Sequence, residues 1–407
     1  MSKASISLFK GKNVLLLQGP VGPFFSRLAQ DLISLSAKVH KVNFNGGDWL
    51  FYPTNAISFK GKLDEWPDFF DQLLADYSID VILLLGDCRA HHQVALNIAR
   101  LRAVEIGVFE EGYIRPDFIT LEFFGANNNS LLPREAAYYQ VQTPAVLPEH
   151  FAVGKTFSYA AMWAMIYYLA CSLLWPVYWR YRHHRPLNLF EGLYWVRSLW
   201  RKKYYAHKER NVLQDLAVNH QGQYFLVPLQ IHNDAQIYFH SNYVSVKDFI
   251  HSIINSFVKH APNKTLLVIK HHPLDRGYHD YAKYIASLAK LHGVADRVRY
   301  IHDQHLPTLF NHALGVVVVN STVGMSALNH GLPVMVSGRA LYDIPGLTFQ
   351  GTVDEFWQSA SSHHLDKKLL DHFLHYLISN TQLNGSFYKR LKNQDSTSGI
   401  NLKIDNQ

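Results

Sequence analysis

The stretch VILLLGDCRAHHQVALNIARLRAVEIGVFEEG, Val81 to Gly112, decides the fold. Val81 to Leu85 is an unbroken apolar run of strand length, and Gly86 with Asp87 interrupts it. From His91 to Leu101 the apolar residues recur at helical spacing, and a second apolar run, Ile106 to Phe109, follows. Strand, helix and strand in so short a stretch make a βαβ unit, which requires parallel strands. Parallel strands end at one sheet edge, where open α/β sheets bind their ligands. The second run delivers Glu110 and Glu111 into a turn marked by Gly112, with Arg115 close behind, so these residues are site candidates. Taken alone, they also read as a solvated loop in which Glu and Arg pair.

Outward from this unit the pattern repeats. Asn13 to Gln18 reads as a strand, Gly19-Pro20-Val21-Gly22-Pro23 breaks it, and a helix runs from Phe24 to Leu35. Ala37 to Phe44 is the next strand, Asn45-Gly46-Gly47-Asp48-Trp49 a second glycine loop, and Leu63 to Tyr77 a helix. The first loop lacks the Lys-Ser/Thr of a P-loop and the spacing of a dinucleotide fingerprint, so it is only a weak phosphate signal. Asp87, after the Val81 strand, reads as a loop residue or a site residue, the loop being the plainer reading. A second alternating series starts at Tyr224 to Leu229, with a helix over Val246 to His260 and a strand over Leu266 to Ile269. A helix over Tyr281 to His292 and strands at Arg297 to Ile301, Leu314 to Val319 and Pro333 to Val336 complete it.

With 407 residues, two domains are the natural count. The expected fold is α/β and GT-B-like, with two Rossmann-like parallel-sheet domains facing a cleft. Residues 1–155 form the N-terminal domain with the acidic motif, and residues 216–345 the second Rossmann-like domain. Residues 346–407 supply C-terminal helices and a polar tail that frays after Tyr388. Between the domains, residues 156–215 are aromatic and basic. Thr156 to Trp179 has no charged residue, and Arg180, Arg182, His183, His184 and Arg185 follow. Such a segment suits the membrane interface, a span being disfavoured by Pro176 and the many Tyr and Trp; a buried hairpin is the plainer reading. Trp195 to Lys208 continues in the same style.

The 39 Lys and Arg against 32 Asp and Glu give a net charge of +7, which favours anionic partners such as nucleotides, lipid headgroups or acidic sugars. Cys88 and Cys171 stand alone, so neither a disulfide framework nor a cysteine zinc site is expected. The 24 His include several adjacent pairs, whose side chains diverge, and no metal site is expected. The N-terminus has no apolar core of an export signal, consistent with a cytoplasmic location.

Two further strand ends carry chemistry. Lys270-His271-His272-Pro273 closes the Leu266 strand, and Pro273 turns the chain out of regular structure beside donors suited to a phosphate. Asn320-Ser321-Thr322-Val323-Gly324 ends the Val316 to Val319 strand where a helix begins, so a hydroxyl there caps the helix or meets an anion. Packed histidines and simple capping explain either motif alone.

The order Glu110-Glu111-Gly112, His272-Pro273 and Ser321-Thr322 resembles that of bacterial transferases using CMP-activated acidic sugars, the GT-B-type sialyl- and Kdo-transferases. Glu111-Gly112-Tyr113-Ile114-Arg115-Pro116, Gln18-Gly19-Pro20, Pro228-Leu229-Gln230 with Asn233-Asp234, and Lys270-His271-His272-Pro273 resemble more closely the KpsS/LipB family of capsule proteins. That resemblance implies transfer of a β-Kdo residue from CMP-β-Kdo to lysophosphatidylglycerol at the inner face of the cytoplasmic membrane, beginning the linker of a group 2 capsule. It implies a catalytic carboxylate at Glu110 or Glu111 and CMP-sugar contacts at Lys270, His271, His272, Ser321, Thr322 and Gly324. Gln18, Gly19, Arg115 and Asn233 would line a substrate or acceptor loop. CMP-Kdo is then a substrate, no cofactor or metal is called for, and other capsule proteins but no nucleic acid are implied partners. Two other classes stay open: a non-enzymatic capsule assembly or export component, and a transferase for another CMP-sugar such as CMP-sialic acid.

Overall fold

A computed structural model describes residues 5–142, 147, 149–182, 191–392 and 394–401. The chain divides into two compact units. The first comprises Met1–Leu131, Pro144–Glu191 and Leu374–Gln407, and the second Leu132–Thr143 and Gly192–Phe373. The aromatic segment 156–215 is therefore split, its helix Phe157–Leu173 lying in the first unit and most of helix Glu191–Lys208 in the second. His183, His184 and Arg185 lie outside the described residues.

The strands are β1 (Asn13–Leu16), β2 (Lys38–Asn43), β3 (Ile57–Ser58), β4 (Val81–Leu85), β5 (Glu105–Glu111) and β6 (Phe118–Phe123). The second unit holds β7 (Tyr224–Pro228), β8 (Leu266–Lys270), β9 (Val298–Ile301), β10 (Gly315–Val318) and β11 (Val334–Val336), and β12 (Gln382–Asn384) returns to the first. The first sheet has the order β12-β6-β5-β4-β1-β2-β3 and the second β11-β10-β7-β8-β9. The second is parallel throughout. Both units are thus Rossmann-like α/β layers, as the alternating pattern predicts.

The first sheet is not wholly parallel. β6 runs antiparallel to β5, pairing Glu111 with Ile119 and Glu110 with Thr120, and β12 runs antiparallel to β6. The residues after Glu111 therefore turn a hairpin rather than leave the sheet. The sequence hides β6 because two of its buried positions are polar. Thr120 donates its hydroxyl to the Glu111 carbonyl at 3.2 Å, and Glu122 accepts from the Tyr113 hydroxyl at 2.5 Å. Satisfied in this way, neither side chain needs water.

Alternation along the strands supplies a core on each face of this sheet. Val14, Leu16, Leu83, Phe109 and Leu121 pack with Phe24, Phe25 and Leu28 on one side; Leu15, Ile82, Leu84 and Val108 pack with Trp66, Phe70 and Leu96 on the other. In the second unit, Val227, Leu267, Ile269 and Val317 meet Phe249, Ile253 and Phe257 of helix Val246–His260.

Two expectations are overturned. The Asn45-Gly46-Gly47 run is not a loop: it starts helix Gly46–Phe51, capped by the Asn45 side chain, which accepts from the Asp48 amide at 2.9 Å. The glycines serve close packing, since a Cβ on Gly46 would lie 2.4 Å from the Ala170 carbonyl oxygen and one on Gly47 2.4 Å from the Tyr167 ring. Nor does the chain fray directly after Tyr388. Ile400 is buried, and the amides of Thr397 and Ser398 donate to the Asp31 carboxylate at 2.6 and 2.9 Å. A buried carboxylate in helix Phe24–Ser34 thereby pins a polar tail, a long-range pairing that composition cannot reveal.

Candidate active site

The carboxyl ends of β1, β4 and β5 are adjacent in the first sheet, and each contributes. Gly86, in a left-handed turn after β4, brings the chain past Glu110: a Cβ there would sit 3.4 Å from Glu110 Oε1. Burial, and next the neighbouring Asp87 charge, push the Glu110 carboxyl up to about 7, partly opposed by Arg89. Glu111 points the other way, as neighbours on a strand must, and accepts from the Tyr388 hydroxyl at 2.6 Å. The pair is thus asymmetric, one carboxyl holding its proton near neutrality and the other a partner of Tyr388.

Arg89 is the cation whose charge reaches Glu110. Arg115 instead is exposed and donates from Nε to the Gly112 carbonyl of its own turn at 3.1 Å. Arg89 is held by Gln18, whose Oε1 accepts from the guanidinium at 2.7 Å and from the Tyr181 hydroxyl at 3.1 Å. The amide of Gln18 donates toward Asp48 at 3.3 Å and the Tyr167 hydroxyl at 3.2 Å. Gln18 is therefore buried and orders the cluster, while Gly19 makes room for Phe25, whose ring a Cβ would meet at 2.7 Å. Asp87 is a buried anchor, accepting from the Ala126 amide at 3.1 Å and the Asn129 side chain at 2.9 Å. The sequence signal for Arg89 was its place two residues beyond Asp87, in the loop leaving β4; nothing local separates it from an ordinary surface arginine.

In the second sheet β10, β7 and β8 are neighbours, and their carboxyl ends form one edge. The loops there are cross-linked. Gln230, after β7, donates to the Asn320 side chain after β10 at 3.1 Å and to Asp234 at 3.0 Å. His232 Nδ1 bonds the buried Asp275, beyond β8, at 2.5 Å. Asn233 lies, partly exposed, between those two anchors.

The two adjacent histidines divide their roles by orientation. His271 is buried, its Nδ1 against the Tyr300 hydroxyl at 2.6 Å, and burial, then the nearby His302, pushes its pKa down to about 3. It is a neutral ring at ordinary pH. His272 is partly exposed, and its Nδ1 accepts from the Leu274 amide at 3.2 Å, which leaves the proton of the neutral ring on Nε2. Lys270 is buried at the strand end; burial lowers its pKa, and Asp303 and Glu209 oppose the shift. Ser321 and Thr322 are both partly exposed at the start of helix Val323–Asn329. The Ser321 hydroxyl accepts from the Val323 amide at 3.2 Å, and Thr322 makes no side-chain cap bond. Gly324 is required by packing, because a Cβ would fall 2.3 Å from the Tyr342 hydroxyl.

The arrangement puts an acid with a near-neutral pKa at one sheet's edge, and a histidine donor, a lysine and two hydroxyls at the other's. Among the described residues no group of three or more His, Cys, Asp or Glu could hold a metal ion. Nor, among them, is any helix long and apolar enough to cross a membrane. Helix Phe157–Leu173 buries Tyr167, Ala170 and Cys171, whereas Phe157, Leu169 and Leu173 are exposed, as are Trp175 and Trp179 just beyond it.

Similar solved structures include Anabaena Alr3699/HepE in complex with UDP-glucose, at 10% identity and a TM-score of 0.37 over 91% of this chain and 96% of that one. S. aureus MnaA with UDP has 13% identity and a TM-score of 0.33 over 95% and 94%. At that distance nothing about chemistry carries across. Sequence relatives are much nearer. The capsule polysaccharide export protein KpsS of Escherichia coli is 42% identical over 94% of this chain and 98% of its own length. The capsule polysaccharide modification protein LipB of Neisseria meningitidis serogroup A is 39% identical over 94% and 93%. With residues 80–388 also matching the model for capsule polysaccharide biosynthesis proteins, the chain belongs to that family.

Proposed function

We propose that the protein is a glycosyltransferase that moves a β-Kdo residue from CMP-β-Kdo to a lysophosphatidylglycerol acceptor, starting the linker of a group 2 capsular polysaccharide. The observation that carries this reading is the asymmetry at the end of β5, where Glu110 has a near-neutral carboxyl beside a fixed arginine and Glu111 is bonded to Tyr388. Perturbed acids of this kind are what acid–base and nucleophilic chemistry needs. In the reaction the bond from the anomeric carbon to the CMP phosphate oxygen breaks, and CMP leaves with the electron pair. His272, Lys270, Ser321 and Thr322 are the groups proposed to receive that phosphate. The acceptor hydroxyl forms the new bond and gives up its proton to solvent. Glu110 is the carboxylate proposed to act at the sugar centre; retention of the β configuration through two displacements would make it the nucleophile. Transfer is proposed to need no metal, because donors of this chain supply the countercharge.

The proposed setting is the cytoplasmic face of the inner membrane, with the protein peripheral to it and working beside other capsule proteins. The exposed Trp175 and Trp179, with Arg180 over the Trp179 ring at 5.1 Å, support that placement. The test is to incubate purified protein with a panel of CMP-sugars and lysophosphatidylglycerol, with and without EDTA, and weigh the lipid product. A mass gain of one Kdo, insensitive to EDTA, is the expected result. A gain of sialic acid would replace the donor, and no gain with any CMP-sugar would favour a non-enzymatic assembly or export role.

A further inference from the structure

The loops at the carboxyl edge of the second sheet hold a further histidine, outside the Lys270-His271-His272 run, that the donor contacts do not use. β7 lies between β10 and β8, and the loop that follows it is tied to both neighbours. Gln230 bonds Asn320 on the β10 side at 3.1 Å, and His232 bonds Asp275 on the β8 side. Asn320 directly precedes Ser321 and Thr322, and Asp275 comes three residues after His272. His232 therefore stands on the central loop, between the two groups of proposed phosphate contacts.

Asp275 is fully buried and accepts from His232 twice, from the backbone amide at 3.2 Å and from Nδ1 at 2.5 Å; the Tyr281 hydroxyl adds a third bond at 3.5 Å. A carboxylate partner puts a proton on Nδ1. Nε2 makes no hydrogen bond among the described residues, and the side chain is 26% exposed. His272 is built the other way round: its Nδ1 accepts from the Leu274 amide, so the neutral ring carries its proton on Nε2. The difference decides what each ring can give. To release its Nε2 proton, neutral His272 would have to become an imidazolate, and to gain a second proton it would have to break its bond to Leu274. His232 can gain and lose a proton at Nε2 with its bond to Asp275 intact in both states, which is the arrangement of an imidazole that carries protons in catalysis.

We propose that His232, oriented by the buried Asp275, touches the phosphate of the CMP-sugar and gives its Nε2 proton to the oxygen that leaves the anomeric carbon. The carbon–oxygen bond breaks, its electron pair goes to that oxygen, the proton passes to it from the imidazolium, and the ring is left neutral. The proton that the acceptor hydroxyl releases to solvent restores the imidazolium, so protons balance over a turnover. Asp275 is then a positioning residue. The proton transfer rests on the transferase reading; the phosphate contact does not. The exposed His279 ring lies 4.1 Å from that of His232, and Lys247 and Arg197 act on His279 in turn, so His279 is the other group there that can titrate.

The experiment uses two substitutions that each copy one ring nitrogen. His232→Asn keeps an N–H in place of Nδ1, and with it the link to Asp275, but has nothing at Nε2; His232→Gln places an N–H near Nε2 and gives up the link. Transfer by His232→Asn should fall about a hundredfold, the scale of losing a general acid, with the falling limb of its pH–rate profile gone and the rising limb kept. His232→Gln, which can still donate a hydrogen bond to the phosphate, should fall about tenfold, and His279→Gln should keep both limbs. In nitrogen NMR of the full-length protein with isotope-labelled histidines, CMP should move the His232 Nε2 resonance, and cytidine, which has no phosphate, should not. A near-parental rate in His232→Asn with a slower His232→Gln would make His232 a loop cross-link and overturn the proposal. So would an Nε2 resonance that ignores CMP or answers cytidine equally. A resonance that moves with CMP, in a protein that transfers no sugar from any CMP-sugar, would uphold the contact and remove the transferase reading, so the two failures are distinguishable.

Discussion

The two sheet edges use burial in opposite directions. At the first, desolvation pushes an acid, Glu110, up to about 7; at the second, it pushes a base, His271, down to about 3. Both groups are driven toward neutrality, as any charge removed from water must be. The consequences differ. An acid raised to neutrality is poised to exchange a proton, whereas a histidine lowered so far is locked as a neutral scaffold. Desolvation thus leaves a titratable acid on one edge and a neutral supporting ring on the other, and the phosphate-binding role is proposed for the partly exposed neighbour, His272.

The largest expected effect tests the asymmetry of the first edge. Glu110→Gln should lower transfer by at least two orders of magnitude, roughly the scale of losing acid–base or nucleophilic catalysis, with CMP binding unchanged. Glu111→Gln should cost less than tenfold, because it removes a bond to Tyr388 rather than a reacting group. Equal losses in the two variants would break the contrast, and near-normal rates in both would make β5 an ordinary strand.

At the second edge the expected effects are smaller and of another kind. His272→Ala should weaken CMP binding by about tenfold and slow transfer in proportion, since a phosphate contact made in both ground and transition states affects both. Back at the first edge, Arg89→Gln should leave CMP binding alone and raise the apparent pKa on the rising limb of the pH–rate profile. Arg89 favours ionised Glu110, so its loss should move that limb toward higher pH. Isothermal titration with CMP and rates across pH 5 to 9 would check both; a limb that stays in place would separate Arg89 from Glu110.

Most of this architecture was legible in the sequence. Helix Val246–His260 and strands β4, β7 and β8 follow from apolar periodicity, since burial in a parallel sheet writes itself as short apolar runs. What could not be read depends on partners distant in the chain. β6 is masked by Thr120 and Glu122, whose polarity is satisfied from Glu111, Tyr113 and Gln382. The Gly46-Gly47 run looks like a loop until Tyr167 and Ala170 are seen against it. The acidic pair was visible as a pair, but its division between Glu110 and Glu111 needed Tyr388, Asp87 and Arg89 in place. His271 and His272 posed the same problem, settled by Tyr300 on one ring and the Leu274 amide on the other.

The smallest effect is thermodynamic and has opposite signs at the two edges. Glu110 has a folded pKa of about 7 against an ordinary 4.5, so between those values the native chain keeps a proton that the unfolded chain has released. Its contribution to stability is present below about 4.5 and is lost as pH rises toward 7. His271 has a folded pKa of about 3 against 6.5, so the unfolded chain binds the extra proton, and stability present above 6.5 is lost as pH falls toward 3. Each shift is worth on the order of 1 to 2 kcal/mol once solvent screening is allowed for. Glu110→Gln should therefore gain stability relative to the parent as pH rises from 5 to 7.5. His271→Gln, which keeps a polar partner for the Tyr300 hydroxyl, should gain relative to the parent as pH falls from 6.5 to 4. Taking the difference between variant and parent removes the other titrating groups, including the deeply buried His92, whose pKa burial also lowers. Melting temperatures that differ from the parent by a constant offset across pH would show that neither side chain is held away from its ordinary pKa, and the contrast between the edges would then rest on hydrogen bonding alone.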